Sequence, residues 1–235
     1  MSDAALATRH SRPLASRRSL SPLTRWRIRW SQIRGKKLSS KRRYLFEEVG
    51  PGDVAIDCGA NVGLVSQRLI DRGATVHSFE PDPYAAGKLQ TRIDGWTDEA
   101  RGRMHLHRAA VGTEAGSATL FFRDDRDTNP DKACIASSLR ADKPNIDAAA
   151  GVEVAVIDFV AFVEEFEFVK LLKIDVEGVE CELVNALLDA GLHRRIGLML
   201  VETHEQQMPQ LREPVAALAA RLKRDGIHHV ALNWK

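Results

Sequence analysis

Two pairs of residues in this 235-residue chain have the types and spacing of an acid–base site. In LKIDVEGVE, Leu172 to Glu180, Asp175 and Glu177 stand two apart on a tight turn that opens at Gly178. Carboxylates held that close repel one another, so structure alone gives little reason to place them together. They fit a cation or a proton-abstracting role. In VETH, Val201 to His204, Glu202 and His204 are again two apart, and a histidine beside a carboxylate can serve as a general base near neutral pH. Glu180 and Glu182 have a plainer explanation, because acids are favoured in the first turn of a helix.

A third segment supplies a ligand cradle. VAIDCGANVG, Val54 to Gly63, is a strand running into a glycine-punctuated turn and then a helix. Gly59 and Gly63 lack the Cβ atoms that would keep a ligand off the backbone, and the N–H groups of the following helix point at that ligand. A dinucleotide fingerprint wants a further glycine near the pyrophosphate, where this chain has Asn61, with Asp57 just upstream. An acid there repels phosphate and suits a ligand bearing an ammonium and a sulfonium. S-adenosylmethionine carries both. Glu80, at the end of ATVHSFE, can accept hydrogen bonds from both ribose hydroxyls of an adenosine, a role that NAD would share.

The elements that must position these residues alternate strand and helix. KRRYLFEEV reads as a short helix closed by Gly50-Pro51-Gly52, followed by the near-continuously apolar strand at Val54, as a doubly covered parallel strand should be. A helix through Val62, Val65 and Leu69, a strand from Ala74 to Glu80, a helix from Tyr84 to Ile93 and a single strand MHLHRAAVG from Met104 complete one half. The second half has strands at Val169 to Asp175 and Gly197 to Glu202, and helices at Val179 to Ala190 and through Leu211, Val215, Leu218 and Leu222. One strand lies in the closing IHHVALNWK. Such alternation predicts a Rossmann-like α/β/α sandwich with a mostly parallel sheet and the ligand at the carboxyl ends of its strands. Between Phe122 and Gly151 a polar stretch reads as a substrate-facing lid, with Ser137 and Ser138 offered to the acceptor and its RDDRD part disordered.

Composition bounds the rest. Hydrophobic residues make up 44% of the chain, enough for a full core, and no apolar run nears the roughly 18 residues of a membrane span. Three widely spaced cysteines, Cys58, Cys134 and Cys181, argue against a disulfide framework and for a reducing, cytoplasmic setting. The net charge of +2 hides an asymmetry. The first 43 residues hold ten Arg, three Lys and one Asp, which is +12 and leaves −10 on the rest. We therefore divide the chain into a basic extension, residues 1–40, partly disordered or helical, and a catalytic domain, 41–235. Within the extension Leu23, Trp26, Trp30 and Ile33 recur at helical spacing among arginines, a pattern for a peripheral membrane contact, a nucleic-acid contact or packing on the domain itself.

Taken in order, VAIDCGANVG, HSFEPDP, AAVG, ASSL, LKIDVEGVE and VETH resemble the FkbM-type family of S-adenosylmethionine-dependent O-methyltransferases, from about Tyr44 to His204. The resemblance implies methylation of a hydroxyl on a sugar, a lipid-linked glycan or another small molecule. It implies that Asp57, Gly59, Ala60, Asn61 and Gly63 line the cofactor, with Ala110 in contact with it and Glu80 on its ribose, and that Asp175 and Glu177 sit beside the methyl group and the acceptor. The sequence departs from the family's class in showing one C-terminal strand where such sheets usually finish in a hairpin. In-line methyl transfer needs alignment and a group to take the hydroxyl proton. His204, Glu202 or Asp175 could take it, His204 having the better-placed pKa. A divalent ion on Asp175, Glu202 and His204 is the less favoured variant. An RNA methyltransferase gripping through the basic arm, and an NAD-dependent oxidoreductase, are the alternatives; the acidic body disfavours a nucleic-acid partner.

Overall fold

A computed structural model describes residues 46, 48–134, 137–232 and 234. The basic extension with its tryptophan pattern and the start of the KRRYLFEEV helix lie outside the described residues; the described part of that segment, Phe46 and Glu48, forms a bend and a turn.

Six strands form the main sheet: β1 (Val54–Cys58), β2 (Thr75–Phe79), β3 (Met104–His107), β7 (Val169–Ile174), β8 (Ile196–Val201) and β9 (Val230–Leu232). Their spatial order is β3-β2-β1-β7-β8-β9, and every pairing is parallel. The chain therefore builds outward from β1 in one direction, then returns to the centre and builds outward from β7 in the other. Between β1 and β7 the order reverses, and their carboxyl ends, level at Cys58 and Ile174, bound the crevice where open α/β sheets bind ligands.

Parallel strands need covering on both faces, and alternate side chains supply both. Ile56, Cys58, Leu172 and Ile174 enter one buried cluster with Phe159, Leu183 and Leu187, from helices α5 (Phe159–Glu164) and α6 (Glu180–Asp189). Ala55 and Leu171 enter the other with Leu69, Leu89 and Trp234, beneath α1 (Leu64–Asp71) and α2 (Pro83–Asp94), which the short α3 (Asp98–Arg101) follows. Asp82 caps α2, its carboxylate accepting from the N–H of Tyr84, with Pro83 in the first turn. The last long helix, α7 (Arg212–Arg224), crosses from β8 to β9.

A second, three-stranded sheet stands over the crevice: β4 (Ala110–Gly112), β6 (Ile146–Asp158) and β5 (Gly116–Arg123), in the order β4-β6-β5. MHLHRAAVG is thus two strands rather than one, broken at Arg108–Ala109 so that its halves join different sheets. The expected lid is also shorter than its polar composition suggested, because β5 continues to Arg123 and β6 begins at Ile146. Between them lie turns, the short α4 (Pro130–Ala133) and a bridge pairing Ser138 with Phe121. Within the RDDRD part, ion pairs hold the turns. Arg123 grips Asp125 through two nitrogens, and Arg126 lies 3.6 Å over the Phe122 ring, which a shift in strand register at Phe121–Phe122 helps to aim.

Candidate active site

A cavity open to solvent on one side occupies the crevice and extends under the second sheet. Of the residues singled out in the sequence, Gly59, Asn61, Glu80, Ala110, Ser137, Asp175, Glu177 and Glu202 line it. Asp57, Ala60, Gly63 and His204 do not.

The cradle glycines serve packing first. A Cβ on Gly59, at φ +74°, would lie 1.7 Å from the carbonyl oxygen of Asp175, and one on Gly63, at φ +83°, would lie 2.3 Å from Cδ1 of the buried Leu89. Only glycine lets the β1 turn pass the end of β7 and lets α1 approach α2. Asn61, also left-handed at φ 50°, turns its N–H onto Glu80 Oε2 at 2.6 Å, while Oε1 accepts from the N–H of Asp82 at 2.8 Å. Glu80 is buried, which pushes its carboxyl up to about 7 against these two N–H bonds. Each oxygen keeps acceptor capacity beyond that one bond.

Asp57 corrects an expectation. It is fully buried beneath the cradle floor, where Oδ2 accepts from the Ser66 hydroxyl at 2.7 Å and Oδ1 lies 3.3 Å from Lys173 Nζ. Lys173 is its register partner on β7. The same ammonium lies 3.3 Å from Asp175 Oδ2 and donates to the Gly59 carbonyl. Burial lowers the Lys173 pKa, but Asp175 and Asp57 raise it further, so it stays charged. The charge of Asp57 is neutralised inside the protein, not presented to a cationic ligand. Lys173 went unremarked in the sequence, although a lysine inside a doubly covered apolar strand always requires a buried partner.

At the end of β7, Glu177 adopts a left-handed backbone, φ 62°. Its Oε2 receives His204 Nε2 at 3.1 Å and Lys143 Nζ at 2.8 Å. Burial raises the Glu177 pKa, and His204 and Lys143 oppose that rise. His204 itself is buried, with Nδ1 bonded to Glu180 Oε1 at 2.9 Å and Nε2 also 3.6 Å from Asp175 Oδ1. Burial would lower its pKa, yet the Glu180 hydrogen bond and the surrounding carboxylates raise it to about 9. Below that pH the ring is a cation with both nitrogens engaged, so it is not the free neutral base its sequence position suggested. Glu180 is no surface helix acid either. It is buried and accepts from the N–H groups of Val176 and Gly178 as well as from His204, which ties the 175–178 turn to α6.

Asp175, Glu180 and His204 bring one ligand atom each within 4.8 Å of one another. This differs from the anticipated metal set, because Glu180 and not Glu202 joins the other two. Of the two lid serines, Ser137 lines the cavity while its Oγ donates to Asp82 Oδ2 at 2.8 Å, and Ser138 Oγ donates to the Glu177 carbonyl at 2.7 Å. They fasten the lid to the rim. Asp82 additionally takes a bidentate Arg126; burial raises its pKa, and Arg126 with Ser137 pull it below the ordinary value. Cys134 lines the cavity as a thiol that burial lifts to about 11. All three cysteines are free. Among the described residues no helix is long and apolar enough to cross a membrane.

The pattern of the methyltransferase FkbM domain matches residues 57–226. The chain belongs to the FkbM methyltransferase family. It is 29% identical over 202 residues to the 31-O-demethyl-FK506 methyltransferase FkbM of Streptomyces tacrolimicus, covering 74% of this chain and 75% of that one. A 41-residue stretch is 51% identical to the ribosomal RNA small subunit methyltransferase H of Novosphingobium aromaticivorans, 17% of this chain and 12% of that one. The crystal structure of methyltransferase FkbM from Methylobacillus flagellatus KT aligns at a TM-score of 0.38 and 19% identity, covering 59% of this chain and 29% of that one.

Proposed function

We propose that the protein transfers the methyl group of S-adenosylmethionine to a hydroxyl of an acceptor such as a sugar, a lipid-linked glycan or another small molecule, with Glu177 taking the hydroxyl proton. The observation that carries this reading is the disposition of Glu177. One of its carboxylate oxygens is held by two cations, His204 and Lys143, and the residue lines the cavity at the β7 end. A half-buried carboxylate fixed in place by two cations and bordering the cavity suits the part of a general base.

The cradle residues suit the methyl donor. Glu80 retains acceptor capacity for the two ribose hydroxyls, Gly59 and Asn61 border the cavity beside it, and Phe79, Ala110 and Val111 supply an apolar wall for the base. Bound there, S-adenosylmethionine supplies an electrophilic methyl on a sulfonium. The chain's own part is to exclude water beneath the second sheet, to align the acceptor hydroxyl and to hold its proton on Glu177. Asp175, Glu177 and Glu202 gather at one end of the cavity, which disfavours a polyanionic acceptor such as RNA. A relative named for an O-methyl position of FK506 fits a hydroxyl acceptor.

The test is a panel of sugars, glycolipids, small alcohols and ribosomal RNA offered with methyl-tritiated S-adenosylmethionine. Label should appear on a hydroxyl compound. Label on RNA alone would overturn the acceptor class, and no binding of S-adenosylmethionine in calorimetry would overturn the cofactor.

A further inference from the structure

The lid between β5 and β6 carries one lysine whose placement the methyl-transfer reading does not by itself demand. Ala141, Asp142, Pro144 and Asn145 are exposed, whereas Lys143 among them is buried. A lysine on a surface turn reaches water by rotation about its own bonds; turning it inward gives up hydration and rotamer freedom, so a partner must hold it there. Glu177 is such a partner, with Nζ 2.8 Å from Oε2. The same oxygen lies 3.1 Å from His204 Nε2.

The backbones that bear Lys143 and Glu177 are themselves locked together. Ser138 Oγ donates to the Glu177 carbonyl at 2.7 Å and accepts from the Arg140 N–H at 3.0 Å. The stem of Arg140 crosses Gly178 so closely that a Cβ there would lie 2.5 Å from Arg140 Cδ. Glu177 needs such help, because its left-handed backbone is an unfavourable state for a residue with a Cβ.

We propose that Lys143 is a positioning residue for Glu177, delivered by the lid, so that the carboxylate is fixed for proton removal when the lid is seated over the acceptor. The proposal rests on Glu177 being the base. His204 grips Oε2 from the protein core whatever the lid does; Lys143 adds the second cation only from above, which leaves the other carboxylate oxygen for the acceptor. The acceptor end of the cavity is then assembled jointly by the β7 turn and the lid, and lid seating prepares the base in the same step that excludes water.

The full chain with glutamate ¹³C-labelled at Cδ tests this directly, the Glu177 signal being identified by its loss in Glu177→Gln. In Lys143→Met that signal should titrate at higher pH than in the wild type, since a cation that favours the ionised form has gone; Lys143→Arg should return it toward the wild-type position. The alkaline-going limb of the turnover profile should move with it. An unmoved signal in both Lys143→Met and Lys143→Gln overturns the proposal. So does Lys143→Arg behaving like Lys143→Met, which would assign the effect to lid packing instead of charge. Because the titration uses no acceptor, it stands apart from the base assignment, which fails separately if Glu177→Gln keeps its turnover.

Discussion

The ends of β1 and β7 lie side by side in the sheet, and each presents acids, yet the two ends use them oppositely. Asp57 on β1 is sealed under the cradle and neutralised by Lys173 and Ser66. Glu177 beyond β7 is likewise clamped by cations, but it borders the cavity. What separates them is strand parity and length. Asp57 shares the face of Ala55, pointing under α1, whereas Glu177 lies three residues past the last β7 residue, on a turn that has left the sheet. An acid within a strand must be paid for by a buried partner; an acid past the strand's end can keep one side for a ligand.

Two substitutions break that contrast from either side. Glu177→Gln removes the displayed acid and should lower turnover on the order of 10³-fold, about 4 kcal/mol, while the calorimetric affinity for S-adenosylmethionine stays at the wild-type value. Turnover that survives would place the base elsewhere. Lys173→Met strands the sealed acid, and urea unfolding should show a loss of about 3 to 4 kcal/mol, partly recovered in the Asp57→Asn, Lys173→Met double variant. A wild-type unfolding midpoint for the single variant would mean that Asp57 does not depend on Lys173.

His204 sharpens the comparison, because it belongs to the β7 end yet is used structurally. Its pKa rises from 6.5 to about 9 on folding, so the charged ring stabilises the native state fully below pH 6.5, and that contribution is lost as pH rises through about 9. Unfolding free energies of the wild type and His204→Gln should differ by about 2 to 3 kcal/mol at the acid end of this window and converge above it. Parallel curves would deny the imidazolium its place between Glu180 and Glu177.

The alternation of the main sheet was readable because doubly covered strands are apolar throughout, as VAIDC and VKLLKI are. The break of MHLHRAAVG between two sheets was not, since nothing in its composition marks Arg108 as a corner. Site legibility followed a similar rule. Glu80, Asp175 and Glu177 were found because they end strands or begin turns. Lys173 and Lys143 were missed, and Glu180 was read as an ordinary helix-start acid, because their meaning lies in distant partners, Asp57, Glu177 and His204. The glycines were found for an incomplete reason: their missing Cβ atoms make room for Asp175 and Leu89 before they make room for a ligand.

The smallest predicted effect concerns Glu80, which stands between the two extremes, buried like Asp57 and lining the cavity like Glu177. Its two backbone N–H bonds fix the carboxylate without consuming it, and burial leaves it half-protonated near pH 7. Two ribose hydroxyls donating to it need the ionised form. Affinity for S-adenosylmethionine should therefore tighten as pH rises through about 7, and Glu80→Gln should flatten that dependence while weakening binding by about 2 kcal/mol above it. Calorimetry across that range decides the matter. A flat wild-type profile would show that the hydroxyls bind the protonated acid equally well, and Glu80 would then resemble the sealed Asp57 more than the displayed Glu177.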